Sequence, residues 1–402
     1  MIYERKAMDF EDWNLSVFEN FSDYMEYDRD ESYGMYFLDE LIPVALVYGI
    51  TLIVGLIGNI LIIYTVVSFR RMRTISNVFL ASLATADLLV VVICVPVKFG
   101  QLFSYSWALG EIGCKFVHYV QNVSATCSVL TLTSMSVERY YAIMHPVKSR
   151  YQCTMRQARR VIMVIWFLSF VTALPIILAQ IHIEVGERYK AYWCVRNWHQ
   201  PWIWRSYEVY MLILILIAPI LIMGFAYTKI CHQLWIVVKD RASMISGEMP
   251  ETETALKESS SRRHFLTSNN SSRKMKRKRK LQKLEADNTT VKQVIKMLVA
   301  VVILFITCWS PILITNVLTS FDFLDKLNYS YLKPMRTAFH LMSYFNSCIN
   351  PCVYGFLSNN FRNSFKAVIL TCLCGKKQKR VQSVLSRTGT TSISYARPTY
   401  IT

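Results

Sequence analysis

The sequence predicts an all-α membrane protein: a bundle of seven transmembrane helices followed by a short amphipathic eighth helix. The 402-residue chain is 53% hydrophobic and only 18% charged, which is more apolar than a soluble domain of this length requires. Seven apolar runs are each long enough to cross a hydrocarbon layer about 30 Å thick. Backbone polar groups in lipid must be satisfied within their own segment, so each run is expected to be a helix.

The apolar runs are named spans one to seven, and they cover residues 41–68, 75–99, 112–142, 160–180, 206–236, 292–319 and 334–356. Basic residues are concentrated in the loops that follow odd-numbered spans, and the loop after span five contains the run RKMKRKRK. Basic loops remain in the cytosol, so the amino terminus is predicted to be extracellular and the carboxyl terminus cytosolic. Interaction with anionic membrane lipid accounts for the basic run, and no nucleic-acid partner is expected.

The parts of the chain outside the spans differ in composition. Residues 1–40 contain twelve acidic residues and predict an acidic extracellular tail. Within the bundle, residues 41–357, the loop at about 239–290 is basic and predicted to be disordered. Residues 358–372 predict the amphipathic eighth helix, and residues 373–402 predict a cytosolic tail rich in Ser and Thr.

Cysteines and glycosylation sequons agree with this topology. Cys114 and Cys194 are the only two of eleven cysteines at predicted extracellular positions, so they are expected to form a disulfide. Cys372 and Cys374 lie beside the membrane and are candidates for palmitoylation, with unmodified thiols as the alternative. The N-x-S/T sequons in predicted extracellular segments, which predict glycosylation, are Asn14, Asn20 and Asn328.

Polar residues within the spans predict a functional interior. Asp87 lies midway along span two, where a carboxylate needs polar partners or a cation. In span three, 18 residues separate Gln121 from Arg139, which is five turns or about 27 Å, and Ser128 lies between them on the same helix face. Span three therefore presents a polar seam to the bundle interior. A hydrogen-bonded cluster that only joins helices is the structural alternative for Asp87.

Prolines predict kinks in four spans, because proline removes an intrahelical hydrogen bond. One of them, Pro311, follows Trp309 closely, so a bulky indole lies next to a predicted hinge. The four prolines are Pro175, Pro219, Pro311 and Pro351.

One motif in each span carries a resemblance to rhodopsin-like (class A) G-protein-coupled receptors, which extends from about residue 41 to residue 375. The motifs are GLIGN with Asn59, LATAD with Asp87, Cys114 with Glu138-Arg139-Tyr140, Trp166, Pro219 with Tyr227, FITCWSP with Phe305, Trp309 and Pro311, and NPCVY with Asn350, Pro351 and Tyr354. All seven occur in order on spans of the expected polarity.

The resemblance implies a two-state signalling protein rather than an enzyme. Arg139 would be held by Glu138 at rest and would contact a heterotrimeric G protein after activation, together with Val147. No cofactor is implied except an allosteric sodium ion, with Asp87, Ser128, Asn346 and Asn350 as its site. Arrestin and receptor kinases are expected at the cytosolic tail. The implied activation residues are Glu138, Arg139, Tyr140, Tyr227, Phe305, Trp309, Pro311, Pro351 and Tyr354.

The ligand implied by the resemblance is a neuropeptide. Gln121 stands where amine receptors carry an aspartate, and Tyr344 stands where opsins carry the retinal lysine. Together with Asn316 and His340, these residues resemble the pocket of orexin receptors and their allatotropin and trissin relatives. The RFamide, neuropeptide Y and cholecystokinin-like groups are the alternative. The loop IHIEVGERYKAYWCV predicts a hairpin, which is common in peptide receptors.

Coupling through Gq and calcium, in the plasma membrane, is the expected output. A non-signalling decoy receptor and a seven-span transporter are the competing hypotheses. The intact Glu138-Arg139-Tyr140 and NPCVY motifs argue against the decoy, and the lack of an internal sequence repeat argues against the transporter.

Overall fold

The structure is a computed structural model, and it describes residues 38–104, 106–185, 190–246, 267–326 and 332–374. Long helices occupy the positions of all seven predicted spans. Their bounds are Leu38–Ser68 for span one, Ile75–Leu89 and Val95–Gly100 for span two, Gly110–Met144 for span three, Met155–Thr172 for span four, Pro201–Leu212 and Ala218–Ser246 for span five, Thr267–Ser320 for span six, and Leu332–Leu357 for span seven.

Spans one, two, four, five and six are long and apolar enough to cross a membrane by length and composition alone. Spans three and seven contain more polar residues, and many of these are buried in the interior of the bundle. Span three packs against spans two, four, five and six, and span seven packs against spans one and six. The core between them is formed by large buried side chains, among them Leu80, Leu132, Met135 and Phe305.

Spans two and five are each interrupted by a single π-helical turn, Val90–Cys94 and Ile213–Ile217. Each π turn ends two residues before a proline, Pro96 in span two and Pro219 in span five. A proline has no N–H to donate and its ring crowds the carbonyl four residues earlier, so the regular α-helical pattern cannot continue through this turn. The extra residue in each π turn accommodates that disruption.

Several boundaries differ from the predictions. Helix covers residues 239–246 and 267–290, where the sequence predicts disorder, while residues 247–266 lie outside the described residues. Lys and Arg are abundant in the second of these stretches and favour helix. Span four ends at Thr172, and Pro175 starts the short helix Ile176–Ala179 instead of kinking a continuous helix. The eighth helix is Asn359–Cys374.

A β-hairpin covers one end of the bundle, called here the hairpin end. Strands β1 (Gln180–Val185) and β2 (Ala191–Arg196) pair antiparallel. Cys194 on β2 forms a disulfide with Cys114 at the start of span three. The backbone N–H of Trp107 donates to the carbonyl of Tyr192 at 2.7 Å, which fastens β2 to the loop before span three as well. The hairpin is therefore held across the mouth of the bundle.

Spans one and seven approach each other closely at Gly58, and this contact makes a testable prediction. A Cβ at Gly58 would lie 2.6 Å from Cβ and 2.8 Å from Cγ of Pro351, whose ring cannot rotate away. We expect Gly58→Ala to lower the free energy of unfolding by about 1–3 kcal/mol through overpacking. The measurement is thermal unfolding of the detergent-solubilised protein.

Gly49→Ala, on the same helix, is the matched control, since a Cβ there meets no atom within 4 Å. Both substitutions gain the same helix propensity, so their difference isolates the contact with Pro351. Equal unfolding temperatures for the two variants would contradict the prediction.

Candidate functional site

A cavity of about 230 Å³ lies beneath the hairpin, between β2 and spans two, three, five, six and seven. Gln121, Asn316 and His340 line it. Tyr344, the fourth residue predicted to bind ligand, is buried beside them and donates its hydroxyl to Gln121 Oε1 at 3.0 Å. The structure thus brings all four predicted residues together, because spans three, six and seven converge here.

An ion pair between Arg196 and Glu208, absent from the sequence predictions, forms one wall of the cavity. Arg196 Nε lies 2.8 Å from Glu208 Oε1, and the Glu208 side chain is only 2% exposed. The other guanidinium contacts are with Gln180 Oε1, to which Arg196 donates at 2.7 Å, and with the Tyr207 ring, whose centroid is 5.1 Å away. Arg196 is thereby fixed between the hairpin and span five.

Burial is the largest single influence and would lower the pKa of Arg196, but the charge of Glu208, the Tyr207 hydroxyl and the hydrogen bond to Glu208 together outweigh it, and the pKa is raised overall. Arg196 therefore keeps its positive charge. Two signals in the sequence could have revealed the pair. Arg196 follows Cys194 by two residues and so shares its strand face, and Glu208 is an acidic residue inside an apolar run.

The floor of the cavity is aromatic. Trp309 lines the cavity, and its ring is stacked on Phe305 with centroids 6.1 Å apart. Trp309 Nε1 is a buried donor with no partner among the described residues. Pro311 lies two residues beyond Trp309 in the same helix, Thr267–Ser320. The indole that lines the cavity therefore lies directly next to the proline of span six.

Asp87 lies in a buried polar cluster further along the bundle interior. Asn350 Nδ2 donates to Asp87 Oδ2 at 2.8 Å, and Asn59 Nδ2 donates to the carbonyl of Ser347 at 2.8 Å. Ser128 and Asn346 are also buried. The second oxygens of Asp87 and Asn350, both named Oδ1, have no donor among the described residues. Two buried acceptor oxygens, one of them on a carboxyl group, are the type of ligand that a small hard cation prefers.

At the end of the bundle opposite the hairpin, Glu138 and Arg139 form an ion pair with Arg139 Nε 2.8 Å from Glu138 Oε2. Arg139 also donates to the hydroxyl of Ser76 in span two, so span three is tied to span two here. Ser136 donates to the Tyr227 hydroxyl at 2.9 Å.

Four other predicted residues lie near this end or along span seven. The rings of Tyr140 and Phe225 are 6.1 Å apart, and the rings of Tyr354 and Phe361 are 5.8 Å apart. Pro351 packs against Gly58, as described above. Val147 is the second residue of the short helix Pro146–Gln152 and is 73% exposed, so it is accessible to another protein.

The predicted modification sites are only partly covered. Asn14, Asn20 and Asn328 lie outside the described residues. Cys372 and Cys374 lie in the last turn of helix Asn359–Cys374.

Residues 58–354 match the family described as the 7 transmembrane receptor (rhodopsin family). The chain belongs to this family. The family consists of receptors, so the receptor is a multi-pass membrane protein that signals and is not an enzyme. The resemblance found in the motifs of the seven spans is therefore confirmed, as is the all-α seven-helix fold class.

Three relatives show how far the similarity extends along the receptor. The receptor is 30% identical to the "QRFP-like peptide receptor" of Branchiostoma floridae over 80% of this chain and 76% of the relative. It is 32% identical to "G-protein coupled receptor 54" of Oreochromis niloticus, over 94% and 91% of the two chains. It is 33% identical to the "RYamide receptor" of Drosophila melanogaster, over 89% and 70%.

Proposed function

We propose that the receptor binds an extracellular neuropeptide beneath the hairpin and, in response, activates a heterotrimeric G protein at the opposite end of the bundle. The observation that carries this proposal is the convergence of Gln121, Asn316, His340 and Tyr344 on one cavity under a hairpin joined to span three by a disulfide. Relatives named as peptide receptors support a peptide ligand.

The chemistry of the cavity suits a peptide. Amide, imidazole and phenol groups both donate and accept hydrogen bonds, as peptide backbone and amidated ends require. Gln121 carries no charge to pair with an amine. The relatives include receptors named for RFamide-type peptides, and the orexin-like group remains compatible with the same four residues, so the charge of the peptide end that the cavity accepts separates these groups.

We place the hairpin end outside the plasma membrane and the carboxyl terminus in the cytosol. A disulfide at the hairpin end suits an oxidising compartment, and the basic loops follow the odd-numbered spans at the opposite end. Arg139 and Val147 then face the cytosol, where a G protein of the Gq class, arrestin and receptor kinases would bind.

The test is to express the receptor in cells, apply a library of synthetic neuropeptides and record cytosolic calcium. Cells lacking Gq proteins serve as the control for G-protein class, and recruitment of a purified G protein reports coupling without calcium. A peptide that binds at the cell surface without recruiting any G protein would favour the decoy hypothesis. Solute flux without G-protein recruitment would favour the transporter.

The bond between Gln121 and Tyr344 allows the role of Gln121 to be separated from its structural contact. Gln121→Leu and Tyr344→Phe both remove the 3.0 Å hydrogen bond, but only Gln121→Leu also removes the amide from the cavity. We expect Gln121→Leu to lower agonist potency about tenfold, the size of one lost hydrogen bond to a ligand, and Tyr344→Phe to have a smaller effect. Equal effects at equal surface expression would exclude Gln121 as a peptide contact.

A sodium ion at Asp87 would satisfy the Oδ1 atoms of Asp87 and Asn350, which have no donor among the described residues. The ion would hold the receptor in its inactive state by binding that state more tightly. We expect that replacing sodium chloride by N-methylglucamine chloride raises agonist affinity severalfold, which is the usual size of allosteric coupling. Asp87→Asn should abolish this sensitivity. The measurement is agonist binding at constant ionic strength. An equal sodium effect in both proteins would show that the ion acts elsewhere.

A further inference from the structure

Lys98 stands apart from the other charged residues of the cavity. It lies in the second helical part of span two, Val95–Gly100, and lines the cavity beneath the hairpin. Its Nζ makes no hydrogen bond or salt bridge to any described residue. Its Nζ lies 6.0 Å from the centroid of the Trp107 ring. An aromatic face attracts a cation weakly and supplies no counter-charge.

The acidic residue of the described cavity lining, and several described acidic residues around the hairpin end, are already paired with other cations. Glu208 is the one acidic residue in the described lining of the cavity, and it is paired with Arg196 at 2.8 Å. The other described pairs around the hairpin end are Glu111 with Lys115, Glu184 with Lys190, and Asp322 with both Arg205 and Lys326. The described lining of the cavity thus has a surplus of one positive charge, located at Lys98.

A half-buried cation without a counter-charge attracts an anion more strongly than the same group in water, because the surrounding dielectric is low. The imidazoles of His118 and His340 line the same cavity and offer hydrogen bonds to the same ligand. A ligand end that carries arginine would meet both Lys98 and Arg196, with the one lining acid already engaged. The charge balance therefore selects against a basic end and for an acidic one.

We propose that Lys98 is the specificity-determining residue of the cavity and pairs with a carboxylate on the inserted end of the peptide. The carboxylate is either a free carboxyl terminus or the side chain of Asp or Glu. This inference rests on the proposed function, because it assumes a peptide in this cavity. To that function it adds the charge of the peptide end that enters the cavity.

The first test uses small probes on the purified full-length receptor, so that it requires neither an agonist nor a G protein. The probes are N-acetylphenylalanine, which carries a terminal carboxylate, and N-acetylphenylalaninamide, which is neutral. We expect the acid to raise the thermal unfolding temperature of the receptor and the amide to leave it unchanged. Lys98→Met and Lys98→Gln should both lose the response. Lys115→Met, a lysine outside the cavity lining, should retain it.

A second pair of probes distinguishes the two sources of the carboxylate. N-acetyl-glutamyl-phenylalaninamide carries it on a side chain, and N-acetyl-glutaminyl-phenylalaninamide is its neutral counterpart. A larger rise in the unfolding temperature with N-acetylphenylalanine indicates that Lys98 pairs with a free carboxyl terminus. A larger rise with the glutamyl probe indicates that it pairs with an acidic side chain. The proposal is overturned if neither acidic probe raises the unfolding temperature of the receptor, or if the neutral probes raise it equally. It is also overturned if the Lys98 variants respond as the unmodified receptor does.

Once an agonist is known, potency gives an independent check. Lys98→Met should weaken an acid-bearing agonist about ten- to a hundredfold, the range expected when a charged hydrogen bond is lost, and should not affect its amide analogue. An agonist that loses no potency in Lys98→Met removes this inference but leaves the peptide-receptor function intact. Failure to find any peptide agonist, with the probe shifts present, removes the function and leaves the anion site.

Discussion

Arg139→Ala is expected to reduce agonist-stimulated G-protein activation to background while peptide binding under the hairpin persists. Arg139 is held against Glu138 at 2.8 Å and against Ser76, and its side chain is still 24% exposed. Release from these partners would let the guanidinium reach a bound G protein, where it donates charged hydrogen bonds that alanine cannot make. The measurement is nucleotide exchange on purified G protein with the receptor at matched surface density.

Two further variants make this prediction specific. Arg156→Ala removes an exposed arginine at the same end of the bundle and should leave activation unchanged. Glu138→Gln weakens the restraint on Arg139 and should act in the opposite direction, raising activity without agonist. Retained activation by correctly expressed Arg139→Ala would show that the ion pair is structural and has no role in coupling.

Glu208→Met is expected to cost about 3 kcal/mol of folding stability, because it leaves the Arg196 guanidinium partly buried without a counter-charge. The 25% exposure of Arg196 places the effect at the lower end of the range for broken buried pairs. Peptide potency should fall as well, since the hairpin loses its attachment to span five. Thermal and chemical unfolding of the solubilised receptor measure the stability loss.

A double-mutant cycle separates the pair from the single side chains. Arg196→Met combined with Glu208→Met should recover much of the loss, because two apolar side chains leave no buried charge. Glu184 and Lys190 in the same hairpin provide the control, since this pair is exposed, 42% and 68%, and its loss should cost much less stability than the loss of the buried pair. Additive single losses would show that Arg196 and Glu208 act independently.

The parts of the receptor that the sequence predicts are those governed by local patterns. Apolar length predicts the seven spans, and the face shared by Gln121, Ser128 and Arg139 follows from helical periodicity alone. The two cysteines of the disulfide follow from predicted topology. In each case the relevant information lies within one span, or in a comparison of loops, and no knowledge of helix packing is needed.

The features that sequence reasoning missed depend on packing between distant segments. The Arg196–Glu208 pair and the isolation of Lys98 appear only when the hairpin is laid across spans two and five. The sequence predicts a kink at Pro219 in span five but not the π turn before it. A proline alone does not determine which local helix geometry replaces the missing hydrogen bond.

The π turns have a consequence for comparing this receptor with others. A π turn holds one residue more than an α-helical turn, so a receptor that lacks Pro96 or Pro219 would need one residue fewer within Val90–Cys94 or Ile213–Ile217 to form a regular helix with both flanks unrotated. These turns are therefore sites where chain length can change by one at little structural cost. In a receptor without these turns, the position equivalent to Lys98 would lie one residue nearer to the equivalent of Asp87. The position equivalent to Glu208 would likewise lie one residue nearer to the equivalent of Pro219. A sequence alignment therefore needs a one-residue gap at each turn.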